Sequence, residues 1–180
     1  LPKFLDCTLR DGGYINQWNF SWTFAQALYS AISEAGGDFI EIGFFDPAAE
    51  DGLPWSHLAA ADIARIRERA PDSKIKIALM INYGSVTLDQ VPDQTDYGAD
   101  MIRVAAHKNQ AAEAAAFAAD LHAKGYMTTV NFMGISNYSN EEILGLLNVI
   151  NAHKDTVDYF YVADSFGSLL PKRTREIFTT

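Results

Sequence analysis

Short apolar runs alternate along the chain with amphipathic stretches. The runs cover residues 4–8, 39–44, 75–81, 101–105, 127–133 and 157–163. Most are close to continuous rather than alternating, the pattern of strands buried on both faces of a parallel sheet. Between them lie helical periods. Residues 21–35 place Phe24, Leu28, Ile32 and Ala35 at helical spacing and end in Gly36 and Gly37, a C-cap signal. Residues 56–70 run up to Pro71, and the alanine-rich stretch 110–124 runs up to Gly125. Ser139-Asn-Glu-Glu142 matches a capping box and opens a helix with Ile143, Leu146, Leu147 and Ile150 on one face. The segment 86–91 is short for a helix.

Six βα units at a period of roughly thirty residues predict an α/β fold with a parallel sheet. Periodicity leaves two architectures open, an open doubly wound sheet or part of a barrel. A (β/α)8 TIM barrel needs about 250 residues. The 180 residues here would hold six units of eight, a single partial barrel domain over 1–180 lacking strands seven and eight. No glycine-rich phosphate-binding loop is present, which weighs against the nucleotide-binding open sheets. The chain has no initiator Met, and residues 171–178 read as a helix just beginning with Pro171 in its first turn. It is expected to be a piece of a longer polypeptide.

Composition narrows the partners. Lys plus Arg number 14 against 23 Asp plus Glu, a net charge of −9, which argues against nucleic acid or an anionic membrane surface. No apolar run reaches the ~20 residues of a membrane span. The single cysteine, Cys7, excludes an internal disulfide and points to a reducing, cytoplasmic compartment. Within its run Cys7 reads as a buried, unreactive thiol.

In parallel α/β folds ligands sit beyond the carboxyl ends of the strands. The first run ends in Asp6-Cys-Thr-Leu-Arg-Asp-Gly-Gly13, which puts Arg10 and Asp11 at that end, with two glycines that would let backbone approach a ligand. Glu41 and Arg103 each interrupt an apolar run. A carboxylate there needs a cation, so Glu41 is expected to pair with Arg10 or Arg103. Asn82, His107, Ser136 and Asp164 stand at the other strand ends.

Leu5-Asp-Cys-Thr-Leu-Arg-Asp-Gly12 resembles the first-strand signature of the metal-dependent aldolase and Claisen-type lyase family, the hydroxymethylglutaryl-CoA lyase-like metallolyases. Arg103-Val-Ala-Ala-His-Lys, Val130-Asn-Phe-Met-Gly-Ile-Ser136 and Tyr161-Val-Ala-Asp-Ser-Phe-Gly167 resemble its fourth, fifth and sixth strand ends, most closely those of the 4-hydroxy-2-oxovalerate aldolases. Glu41 stands where the family carries its second-strand Glu.

The resemblance implies a TIM barrel and an aldolase, a lyase cleaving a carbon–carbon bond next to a 2-oxo acid through a pyruvate-type enolate. It implies a divalent metal, Mn²⁺ or Mg²⁺, with Asp11 as its carboxylate ligand. Arg10, Tyr14 and Glu41 are the expected catalytic group, and Arg10, Ser136, His107 and Asp164 the expected substrate contacts. Tyr14 replaces a His that serves those aldolases as acid and base. The family's paired His ligands on strand seven have no counterpart, since the chain contains no His-x-His. The site is therefore incomplete, and this chain alone is expected not to turn over. A homo-oligomer, and an aldehyde dehydrogenase partner by family analogy, are further expectations. The competing readings are an acyl-CoA/2-oxo acid condensing enzyme and a non-catalytic fragment of such a barrel.

Overall fold

Six parallel strands lie side by side in the order in which they occur along the chain: β1 (Leu5–Asp6), β2 (Phe39–Phe44), β3 (Lys76–Asn82), β4 (Met101–Ala106), β5 (Met127–Met133) and β6 (Tyr159–Ala163). The structure, a computed structural model, describes residues 3–49 and 55–179. After β1 come two one-turn helices, α1 (Thr8–Asp11) and α2 (Gly13–Asn16), and then α3 (Trp22–Glu34). The helices α4 (Ala60–Arg67), α5 (Gln94–Tyr97), α6 (Ala111–Ala123) and α7 (Asn140–Ala152) precede β3, β4, β5 and β6 in turn, and α8 (Pro171–Thr179) follows β6.

The sheet curls. Strands four places apart in a flat sheet would lie about 19 Å apart. Here the Phe39 ring of β2 meets the Tyr159 ring of β6 with centroids 5.9 Å apart. This closes the choice between open sheet and barrel: the six strands form an arc of a TIM barrel. The convex face carries Ile40, Ile42, Ile77, Leu79, Ile102, Val104 and Val130, all buried in one large core that the helices complete. The concave face has its own small apolar cluster of Phe39, Ala78 and Met101 with Leu5 and Met127 against it. Side chains alternate between faces, so every second strand residue points inward. The inward set therefore includes the buried polar residues Glu41, Arg103, Thr129 and Asn131.

The first run departs from expectation. Only Leu5 and Asp6 pair with β2. Asp6 then turns the chain: its carboxylate accepts from the Thr8 amide at 3.0 Å and from the Thr8 hydroxyl at 3.0 Å. The Cys7 carbonyl accepts from the amides of Arg10 and Asp11 at 3.1 and 2.8 Å. Residues 8–11 thus form a helical turn rather than strand. Both glycines are required by close packing around this turn. A Cβ at Gly12 would lie 2.4 Å from the Thr8 carbonyl oxygen, and one at Gly13 would lie 2.1 Å from the Trp18 indole nitrogen.

Elsewhere the expected helix 56–70 contracts to α4, and 86–91 forms a 3-10 turn at Leu88–Gln90. The unexpected α5 follows. The capping box at α7 is present, with the Glu142 amide donating to Ser139 Oγ at 3.2 Å and the Ser139 amide to Glu142 Oε2 at 2.8 Å. Ser139→Ala is expected to lower stability by about 1 kcal/mol in urea unfolding. Among the described residues no helix is long and apolar enough to cross a membrane.

Candidate active site

Glu41 is fully buried on the concave face of β2. A carboxylate there is stable only with a cation, and it has two. Arg10 Nε donates to Glu41 Oε2 at 2.7 Å, and Arg103 Nη1 lies 2.6 Å from the same oxygen. Both expected pairings therefore form together, as an Arg–Glu–Arg cluster. Glu41 Oε1 is buried without a hydrogen-bond partner. Arg10 also pairs through Nη1 with Asp11, whose side chain is exposed. Arg103 lies over the Tyr161 ring of β6, its guanidinium carbon 4.7 Å from the centroid. Burial opposes the charged form of both guanidiniums, but the groups around them, Glu41 foremost, together outweigh it and hold both above the ordinary arginine value.

Cys7 sits beside this cluster, with Arg103 Nη1 3.7 Å from its sulfur. Burial, and then the Glu41 charge, push its thiol up to about 12. The raised value favours the neutral thiol, so at pH 8.5 Cys7 should hold on the order of a thousandfold less thiolate than an ordinary cysteine. Iodoacetamide at that pH is expected to leave the folded chain unlabelled over hours and to label it promptly in urea.

The carboxyl ends of the strands open on a cavity of about 560 Å³ whose lining includes Arg10, Asp11, Tyr14, Asn131, Tyr161 and Asp164. Arg10 is 8% exposed, held from below and open to this mouth, whereas Tyr14 is 66% exposed at its rim. Tyr14 rests edge-on against Trp18 with centroids 4.6 Å apart. The Trp18 indole N–H donates to the Arg10 carbonyl at 3.1 Å, fixing the backbone of α1. Asp164 accepts from the amides of Leu169 at 2.8 Å and Ser168 at 3.1 Å. These bonds, the one from Leu169 foremost, hold its carboxyl below the usual range. Asp164 thus organises its own loop while lining the mouth.

Two expected contacts lie elsewhere. His107 is exposed and lines a neighbouring cavity of about 450 Å³ with Lys108, Tyr138 and Phe166. That cavity borders the mouth at Met133 and Ser165. Ser136 lies on the 3-10 turn Ile135–Asn137, its hydroxyl buried without a partner, and it lines neither cavity. Conversely, Asn131 and Tyr161 line the mouth and were not singled out. Their signal was the period-two pattern: Met127, Thr129, Asn131 and Met133 share the inward face of β5, and Tyr159 and Tyr161 that of β6. A polar residue at an inward position near the carboxyl end faces the mouth.

The donors do not fit a resident divalent ion by themselves. Among the described residues no three His, Cys, Asp or Glu side chains come together to hold one. Asp11 is tied to Arg10, and both Asp164 oxygens serve its loop.

No protein-family model matches the chain. Curated relatives and a solved structure do. The 4-hydroxy-2-oxovalerate aldolase of Thermomicrobium roseum is 26% identical over 97% of this chain and 49% of its own length. That of Bacillus cereus is 24% identical over 97% of this chain and 51% of its own. The crystal structure of the N-terminal domain of a proposed aldolase from Bacteroides vulgatus superposes with a TM-score of 0.84 at 27% identity, over 99% of this chain and 59% of that one. The chain resembles the aldolases. It spans about half the length of the curated relatives it matches. The likeness runs through all six strands, so the cluster of Arg10, Glu41 and Arg103 lies within the shared half.

Proposed function

We propose that this chain supplies the substrate-orienting half of an aldolase, a lyase that breaks a carbon–carbon bond next to a 2-oxo acid. The observation that carries the reading is Arg10: a guanidinium fixed by a buried carboxylate and turned to the mouth beside Asp11 and Tyr14. A fork of N–H donors fits a carboxylate or an enolate oxygen in two-point fashion. As the bond breaks, negative charge builds on the former keto oxygen. A donor already in place stabilises that charge without reorganisation. Arg10 is in place because Glu41 and the Trp18 bond to its carbonyl hold it. Tyr14, at the rim, is the group positioned to take the proton from the 4-hydroxyl or to return one to the enolate carbon.

A divalent Mn²⁺ or Mg²⁺ is expected from the resemblance, and Asp11 would be its one carboxylate here. One carboxylate leaves the ion mostly hydrated. Calorimetric titration of the 180-residue chain with Mn²⁺ is expected to give binding of roughly millimolar strength or weaker. Micromolar binding would mean that ligands other than Asp11 are present.

The test of the reading is pyruvate release from a panel of 4-hydroxy-2-oxo acids with Mn²⁺ present. It is run on this chain and on a protein that continues it to the length of its relatives. Release by the longer protein supports the lyase reading. A longer protein that binds Mn²⁺ and cleaves none of the panel overturns it in favour of condensation.

A further inference from the structure

We propose that Arg103 is a positioning residue for Arg10, acting through Glu41, and that it keeps a positive charge available at the mouth. The inference rests on the reading of Arg10 as the group that meets a 2-oxo acid.

Arg10 is poorly fixed by its own element. It sits on the four-residue α1, which follows a two-residue strand paired with β2 alone at the end of the sheet. Its guanidinium is therefore aimed by what it touches, chiefly Glu41. Glu41 in turn cannot be held by Arg10 alone, because its second oxygen has no partner and the carboxylate could rotate. Arg103 supplies the fixed point. It stands inside the sheet on β4, its Cα paired with Met80 on one side and Thr129 on the other. Its side chain is 3% exposed, and the Tyr161 ring covers its face. From there it grips the same Glu41 oxygen that Arg10 uses.

Charge points the same way. Two guanidiniums share one fully buried carboxylate, so the buried cluster carries an excess positive charge. Asp11 offsets it only from an exposed position. Arg103 borders a second cavity of about 400 Å³ with Cys7, Thr129 and Tyr161 and is absent from the mouth, so at the mouth the excess is presented by Arg10. Without Arg103 the Arg10–Glu41 pair would be neutral overall, and the Glu41 carboxylate, bonded through one oxygen only, would be free to rotate and release the Arg10 Nε–H. A small carboxylate would lose both its geometry and its charge partner.

The experiment follows the Arg10 side-chain N–H in nitrogen-15 spectra of the chain, assigned by its absence in Arg10→Met. Oxalate, a planar mimic of a pyruvate enolate, is titrated by calorimetry alongside. In Arg103→Met the Arg10 Nε–H signal is expected to lose its protection from solvent exchange, and oxalate affinity to fall tenfold or more. Arg103→Lys restores the charge with one donor and should recover part of both. Arg67→Met, which breaks the Arg67–Asp100 pair at the opposite end of β4, should change neither. If Arg103→Met does not fold, Arg103→Lys decides, with a weakened signal and a threefold or greater loss of affinity expected. Unchanged Arg10 exchange in whichever variant folds overturns the positioning role. Failure of the wild-type chain to bind oxalate would instead overturn the reading of Arg10, while the exchange measurement still decides the role of Arg103.

Discussion

Glu41→Gln is expected to lower the free energy of unfolding by about 3–5 kcal/mol, the usual cost of removing one partner from a buried ionic cluster. The amide keeps the shape and removes the charge. It leaves the Arg10 and Arg103 guanidiniums, with side chains 10% and 3% exposed, sharing a neutral group. Their mutual repulsion is no longer offset by the buried anion between them. Because whole domains are stable by only about 5–15 kcal/mol, such a loss is visible at once as a shift in the urea midpoint. Adding Arg103→Met should return part of it, since Arg10 then keeps Asp11 and one buried charge is gone. A loss below about 1 kcal/mol would mean that water reaches the cluster.

Arg10→Ala is expected to cut turnover by about 10²–10³-fold in a protein that continues this chain to the length of its relatives. That is the scale for losing one preorganised oxyanion donor. The fall should appear in kcat and kcat/KM together, because the charge that Arg10 meets is largest in the transition state. A change confined to KM would make Arg10 a binding group for the ground-state carboxylate alone. Stability should suffer too, since Glu41 would be left with Arg103 only. Activity and urea unfolding therefore need to be read on the same preparation.

The sequence made the six strands legible because a strand buried on both faces has to be apolar almost throughout. Phe39–Phe44 and Met127–Met133 match residue for residue. Glu41 was legible for the same reason, as a charge in a place that tolerates none unpaired. Which arginine would meet it was not, because Arg10 reaches it across a turn and Arg103 across an intervening strand. The turn at residues 8–11 was not legible because the apolar run, read as strand through Thr8, overlaps its start, whereas strand pairing ends at Asp6. The signal was Asp6 two residues before Thr8, a side-chain-to-backbone bond that competes with strand pairing. Asn131 and Tyr161 became visible as site residues only once register placed them inward at the mouth. His107 and Ser136 stand at strand ends, and the family resemblance makes them expected substrate contacts. Position at a strand end does not fix direction: His107 faces the neighbouring cavity, and Ser136 lines neither that cavity nor the mouth.

The most direct measurement is a titration of pyruvate into the nitrogen-15-labelled chain, read as amide and side-chain shifts. Saturable shifts are expected at residues 10–14, at Asn131 and around 161–165, and none of them in Arg10→Met. Shifts centred elsewhere, or shifts that persist undiminished in Arg10→Met, would contradict a carboxylate site built on Arg10.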